Sequence, residues 1–162
     1  MKQHYVIVFC IYLFAASIAF ATINFPTAPD LALTPGAVCS APNDLRYPEK
    51  IPYCDRDVNR DEKWLVIANY MKKFDFTIDH VNRDQFKIDH YIPLCMGGAN
   101  TVENLWPQHQ TVYSVSDPLE VALCERLAKG IITQKMAIEK IKEGKLNYKN
   151  IPQLILEIEK IR

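Results

Sequence analysis

No excess of either charge marks this chain. Nineteen Lys and Arg stand against nineteen Asp and Glu, a formal net charge of zero. That is not the strongly basic balance of a tight nucleic-acid binder. A nuclease on such a chain would rely on a local basic patch, with modest affinity and strong salt sensitivity. The chain also lacks any C-x2-C pair among its five cysteines, which weighs against a thiolate zinc site. No internal repeat is visible, so a solenoid or array is not indicated.

What is present begins with an export signal. Lys2 supplies the charge, residues 5–20 the apolar run, and Ala19-Phe20-Ala21 the small-x-small cleavage pattern. The run is short for a spanning helix, which needs roughly 20 apolar residues. Residues 1–21 are therefore read as a signal peptide, with a secreted or periplasmic mature chain and no stable membrane association after cleavage. Without Lys2 that chain carries a formal charge of −1.

Four cysteines remain: Cys39, Cys54, Cys95 and Cys124. An even count in an exported protein favours two disulfides in one of three pairings, with a four-thiolate zinc site as the alternative. Six of the ten prolines fall in residues 22–53. Proline sustains neither a helix interior nor a central strand, so residues 22–58 read as an extended, loop-like arm around the domain.

Helical signals follow. Asn59, with Glu62 three residues on, forms a capping-box pattern ahead of a helix over about 60–73, whose apolar face is expected at Trp64, Leu65, Ile67, Ala68 and Met71. Past His109 a helix is expected up to about Lys129, stopped by Gly130. Pro118 sits best if Ser116 caps a helix starting at Asp117. Further helices are expected over about 133–143, ending at Gly144, and 151–161. Residues 59–143 form the expected domain, and 144–162 a C-terminal helical segment with packing isoleucines.

The chemistry concentrates in residues 86–109. Phe86, Ile88, Tyr91 and Ile92 read as a strand around a polar pair, Asp89–His90. The strand stops at Pro93, turns at Gly97–Gly98, and a short return, Leu105–Trp106, follows Asn104 and ends at Pro107. Neighbouring residues on a strand point to opposite faces, so at least one member of the pair needs a polar explanation. Asp89 is a hard oxygen ligand suited to Mg2+ or Mn2+. His90 is neutral near pH 7 and can take a proton from water. Phosphodiester cleavage uses both capacities. Asn104 can fix the hairpin or lend an amide oxygen to a metal. An earlier pair, Asp79–His80, lacks the proline, the glycines and the Asn-Leu, and reads as a turn.

The string Asp89-His90-x-x-Pro93-Leu94-x-x-Gly97-Gly98, then Asn104-Leu105-x-Pro107, resembles the HNH endonuclease motif over about twenty residues. More loosely, Arg46-Tyr47-Pro48-Glu49 with Tyr53-Cys54 is similar to a group of exported bacterial HNH proteins. The resemblance implies an α+β fold: a small ββα-metal core over about 86–129, flanking helices and the Pro-rich arm, stabilised by disulfides. It implies Asp89 as metal ligand, His90 as general base and Asn104 as the positioning residue. The family's last ligand is usually a histidine in the helix, but no histidine follows His109 here. Asp117 is the expected substitute and His109 its competitor. The implied cofactor is one divalent cation, Mg2+ or Mn2+ first, then Zn2+ or Ni2+. The implied partner is nucleic acid, DNA ahead of RNA. A non-catalytic secreted binding module on the same frame is the alternative, and an interaction protein working through its C-terminal helices is a third reading.

Overall fold

A computed structural model describes residues 25–162. The expected signal peptide lies outside the described residues. The described residues are mixed α+β, with four helices, two small antiparallel sheets and two disulfides.

The arm is more ordered than its prolines suggest. It holds a hairpin, β1 (Asp44–Arg46) and β2 (Ile51–Tyr53), closed by a turn in which Tyr47 and Lys50 both adopt positive φ. Arg46 lies over the Tyr53 ring at 3.2 Å, a cation–π contact across the ribbon. Cys39 bonds to Cys54, which closes the arm on itself, and Cys95 bonds to Cys124. Such bonds suit an oxidising compartment. Among the described residues, no helix is long and apolar enough to cross a membrane.

Helix α1 (Arg60–Phe74) begins where its sequence says. The Asn59 side chain accepts from the Asp61 and Glu62 amides, and Glu62 accepts from the Asn59 amide. Its buried face differs from expectation. Val66, Ile67 and Tyr70 turn inward, whereas Trp64 and Leu65 are half exposed. Tyr70 sets that phase, because its hydroxyl meets Thr34 Oγ1 at 2.8 Å and accepts from the Asp30 amide, tying the arm to the helix.

Strand β3 (Phe86–His90) pairs antiparallel with β4 (Leu105–His109), Asp89 opposite Trp106 and His90 opposite Leu105. The return strand runs through Pro107 rather than ending there. The Tyr91 amide donates to the Asn104 carbonyl, so the bonded pairs are 91/104, 89/106 and 87/108 by alternation. Pro107 therefore falls at a non-bonded position opposite Ile88, where its missing N–H breaks no rung. Phe86, Ile88, Leu105 and Trp106 pack with α1 in one apolar cluster.

Helix α2 (Gln110–Ala128) follows β4 without a loop. It fills the span expected past His109, and it starts seven residues before the alternative start at Asp117, because His109 caps it: the Thr111 amide donates to His109 Nδ1. Pro118 then lies inside the helix. Helix α3 (Gln134–Leu146) passes through Gly144 instead of stopping. A side chain at Gly144 would strike Leu119 of α2, so here glycine permits close packing. Helix α4 (Ile151–Glu159) places Ile151, Leu154 and Ile158 in one core with Leu119, Leu123 and Ile141, so the C-terminal segment is structural.

Candidate functional site

Between β3 and β4 the chain must turn back from Tyr91 to Asn104. Gly97 takes φ 79°, a left-handed value that glycine adopts without strain. At Gly98 an added Cβ would collide with the Ile92 carbonyl. Asn104, fully buried, staples this loop. Its Oδ1 accepts from the Ile92 amide at 2.9 Å, and its Nδ2 donates to the Ile92 and Ala99 carbonyls at 2.9 Å each. Every strong bonding direction of the carboxamide goes to backbone, which makes Asn104 a positioning residue.

His90 is buried at the end of β3, and its tautomer follows from its neighbours. Asn100 Nδ2 donates to the Asp55 carbonyl at 2.6 Å, an acceptor that cannot be anything else. That fixes the orientation of the Asn100 amide and turns Oδ1 toward His90 Nε2, 3.0 Å away. Nε2 must then carry the proton, and Nδ1 is left with a bare lone pair. Burial pushes the imidazole pKa down, and the charges of Arg56 and Lys145 push the same way. The Asn100 bond and Asp89 oppose them without prevailing, so the ring is neutral at pH 7. Arg56 is exposed and donates from Nη2 to the Ile88 carbonyl at 3.2 Å, which sets its guanidinium beside this strand end.

Asp89 faces the other way, toward α2 and α3. Its Oδ2 accepts from Lys145 Nζ at 3.0 Å, and Lys87 Nζ stands 3.9 Å off. Lys145 is wholly buried. Its ammonium also donates to the His90 carbonyl at 2.6 Å and to Glu120 Oε2 at 3.4 Å. Burial alone would raise the Asp89 carboxyl, but the Lys145 and Lys87 charges outweigh it and hold it low. Burial depresses the Lys145 ammonium, and Asp89 and Glu120 together reverse that and raise it. Glu120 is raised by burial and by the negative charge of Asp89.

Of the remaining expected site residues, Asp117 meets Asp89 through a shared lysine, because Lys87 Nζ, 3.9 Å from Asp89 Oδ2, also pairs with Asp117. Asp117 takes both oxygens to Lys87, at 2.7 and 2.9 Å. His109 stands opposite Phe86, three residues along the ribbon from the Asp89 position, or about 10 Å at strand rise. It stacks on Phe25 at 3.9 Å and meets Gln85 Oε1 at 3.2 Å. The structure thus does not bring His109 to Asp89. Asp79 and His80 are exposed, and Asp79 Oδ1 accepts from the Val81 amide within a turn.

Asp89 and Glu120 converge on the buried ammonium of Lys145, and Asp89 and Asp117 flank that of Lys87, so an ammonium already lies between each pair. Among the described residues no group of three or more His, Cys, Asp or Glu side chains converges to hold a metal. As arranged, this donor set does not fit a divalent cation. Asn100, Glu120 and Lys145 escape a sequence reading. Asn100 looks like a turn residue after Gly97–Gly98. Glu120 had a signal, since it lies three residues beyond Asp117 on the same helical face. Lys145 follows a glycine that reads as a helix stop. No family model, no curated protein and no solved structure matches the chain.

Proposed function

We propose that this protein hydrolyses phosphodiester bonds of nucleic acid, with DNA as first substrate and His90 as general base. One observation carries the reading. The Asp55 carbonyl, Asn100 and His90 form a chain that leaves Nδ1 as a bare base on an imidazole neutral at pH 7. The resemblance of residues 89–107 to the HNH motif supplies the reaction class. In the step, a water loses a proton to His90 Nδ1 while its oxygen bonds to phosphorus. The bond from phosphorus to the 3′-oxygen breaks, and that oxygen takes a proton from solvent, giving a 5′-phosphate and a 3′-hydroxyl. Exposed Arg56 is the cation placed to meet the phosphate, with a fork geometry suited to it.

A His90→Ala protein, assayed on supercoiled plasmid and on RNA, is expected to lose about 10²–10⁴-fold in rate while its circular dichroism stays native. Wild-type rates in that variant would remove His90 from the mechanism. The second reading, a secreted binding module without catalysis, is favoured by one feature: Asp89 Oδ2 is already held by the buried Lys145 ammonium. It predicts no cleavage by clean wild-type protein and nucleic-acid binding that is indifferent to His90→Ala.

A further inference from the structure

The three N–H donors of the Lys145 ammonium find three oxygens: Asp89 Oδ2 at 3.0 Å, the His90 carbonyl at 2.6 Å and Glu120 Oε2 at 3.4 Å. We propose that Lys145 is the resident cation of this carboxylate pair, filling the place between hairpin and helix where a divalent metal would bind, so that the site neither takes nor needs one. The inference deepens the hydrolase reading above and rests on it for the word site, though the carboxylate pair can be tested without any cleavage.

Three features support it. First, the ammonium is built in. It comes from α3, and α3 reaches the site only because Gly144 lets the helix continue against Leu119 of α2. Second, it is enclosed: Lys145 has 0% exposure, so no water completes its shell. A divalent cation such as Ca2+ or Mg2+ wants six or more oxygens, several of them waters for Mg2+. It would have to expel a buried like charge and find ligands beyond the two carboxylates. Third, the same ammonium grips the carbonyl of His90, the proposed base. Lys145 therefore sets the backbone at the residue whose imidazole faces Asn100 on the opposite side of the strand. It is a positioning residue: being wholly enclosed, it does not touch substrate.

The test uses the purified full chain with its disulfides intact, stripped with EDTA, and Mn2+ as the probe. The electron paramagnetic resonance signal of free Mn2+ is followed as protein is added, and plasmid cleavage is measured in EDTA and with Mn2+ restored. The expected result is no Mn2+ uptake tighter than about 1 mM, the weak end for carboxylate sites, and cleavage that survives EDTA. Uptake at micromolar Mn2+, abolished by Asp89→Asn, overturns the proposal. If cleavage then returns with Mn2+, the hydrolase reading stands and the resident cation falls. If no condition gives cleavage, the hydrolase reading falls, and the Mn2+ titration alone still decides for or against Lys145. A Lys145→Ala protein with native circular dichroism is expected to take Mn2+ at least about tenfold more tightly, since a competing positive charge has gone. An unchanged affinity in it overturns the competition. Should that variant fail to fold, the wild-type titration decides.

Discussion

Replacing Asn104 separates a loop staple from a metal ligand. In the folded protein its carboxamide accepts one buried amide, from Ile92, and donates to two carbonyls, of Ile92 and Ala99. Asn104→Ala strands all three. At about 0.5–1.5 kcal/mol per bond, and more where the group left behind stays dry, the loss comes to about 2–4 kcal/mol. Against a typical total of about 5–15 kcal/mol this is a large fraction. Asn104→Asp is the sharper change. It keeps the shape and the acceptor for the Ile92 amide, but puts a carboxylate oxygen where Nδ2 faced two carbonyl oxygens. Near pH 7 it is expected to be at least as damaging as alanine. The new carboxyl would have its pKa raised by burial and by those carbonyls, so the folded state holds its proton more tightly than the unfolded chain. Its penalty therefore shrinks as pH falls toward 4, when the protonated acid can donate one bond. Urea unfolding with disulfides intact, followed by Trp fluorescence, reads this directly, because Trp106 is wholly buried beside the staple. A metal ligand would behave oppositely, since aspartate is the better oxygen donor. Asn104→Asp at wild-type stability across pH 4–8, or Asn104→Ala within about 1 kcal/mol of wild type, would refute the reasoning.

Other expectations follow from the same contacts. Asn100→Ala removes the acceptor that holds His90 Nε2–H, so kcat on plasmid should fall about 10²-fold with KM little changed. An equal fall in affinity instead would make Asn100 a substrate contact. Asp30 is pulled upward by burial, but Lys73 and the Leu33 and Ala32 amides outweigh that and hold its pKa below the ordinary value. A depressed carboxylate stabilises the fold above its unfolded pKa, and that contribution is lost as pH falls through the folded value. The stability gap between wild type and Asp30→Asn should therefore be full near pH 6 and close below about pH 4. A constant gap down to acid would show that Asp30 acts by shape alone. Gly98→Ala drives a Cβ into the Ile92 carbonyl and should cost about 2 kcal/mol or more in urea unfolding. A neutral result would mean that the loop gives way there.

Much of the local structure was legible in the sequence because it is written in short range. The Asn59–Glu62 box starts α1 where it reads. Phe86 and Ile88 alternate with polar Lys87 and Asp89, a period of two that marks a strand, and Gly97 and Gly98 mark a turn that backbone crowding makes necessary. An even cysteine count gave two bonds but not their pairing, which depends on which loops the folded chain brings together. Asn104 was visible as a positioning residue, although its choice between loop and metal was not.

What tertiary structure decided are the contacts that leave no trace in residue type or spacing. Asn100 owes its meaning to a backbone carbonyl at Asp55, 45 positions away, and any residue there would offer the same carbonyl. His109 was kept from Asp89 because it caps α2 at the far end of the ribbon, whereas Asp117, one helix turn or more into α2, reaches Asp89 only through the ammonium of Lys87. Lys145 lies 56 positions from Asp89 and behind a glycine that reads as a stop. Only the packing of α3 on α2 shows that this glycine is a contact point, carrying the helix two residues further and delivering a cation to the carboxylates. The sequence determined that Asp89 and His90 would stand at a strand end. The fold determined what each of them faces, because a strand sends neighbours to opposite sides and only the elements packed there supply the partners.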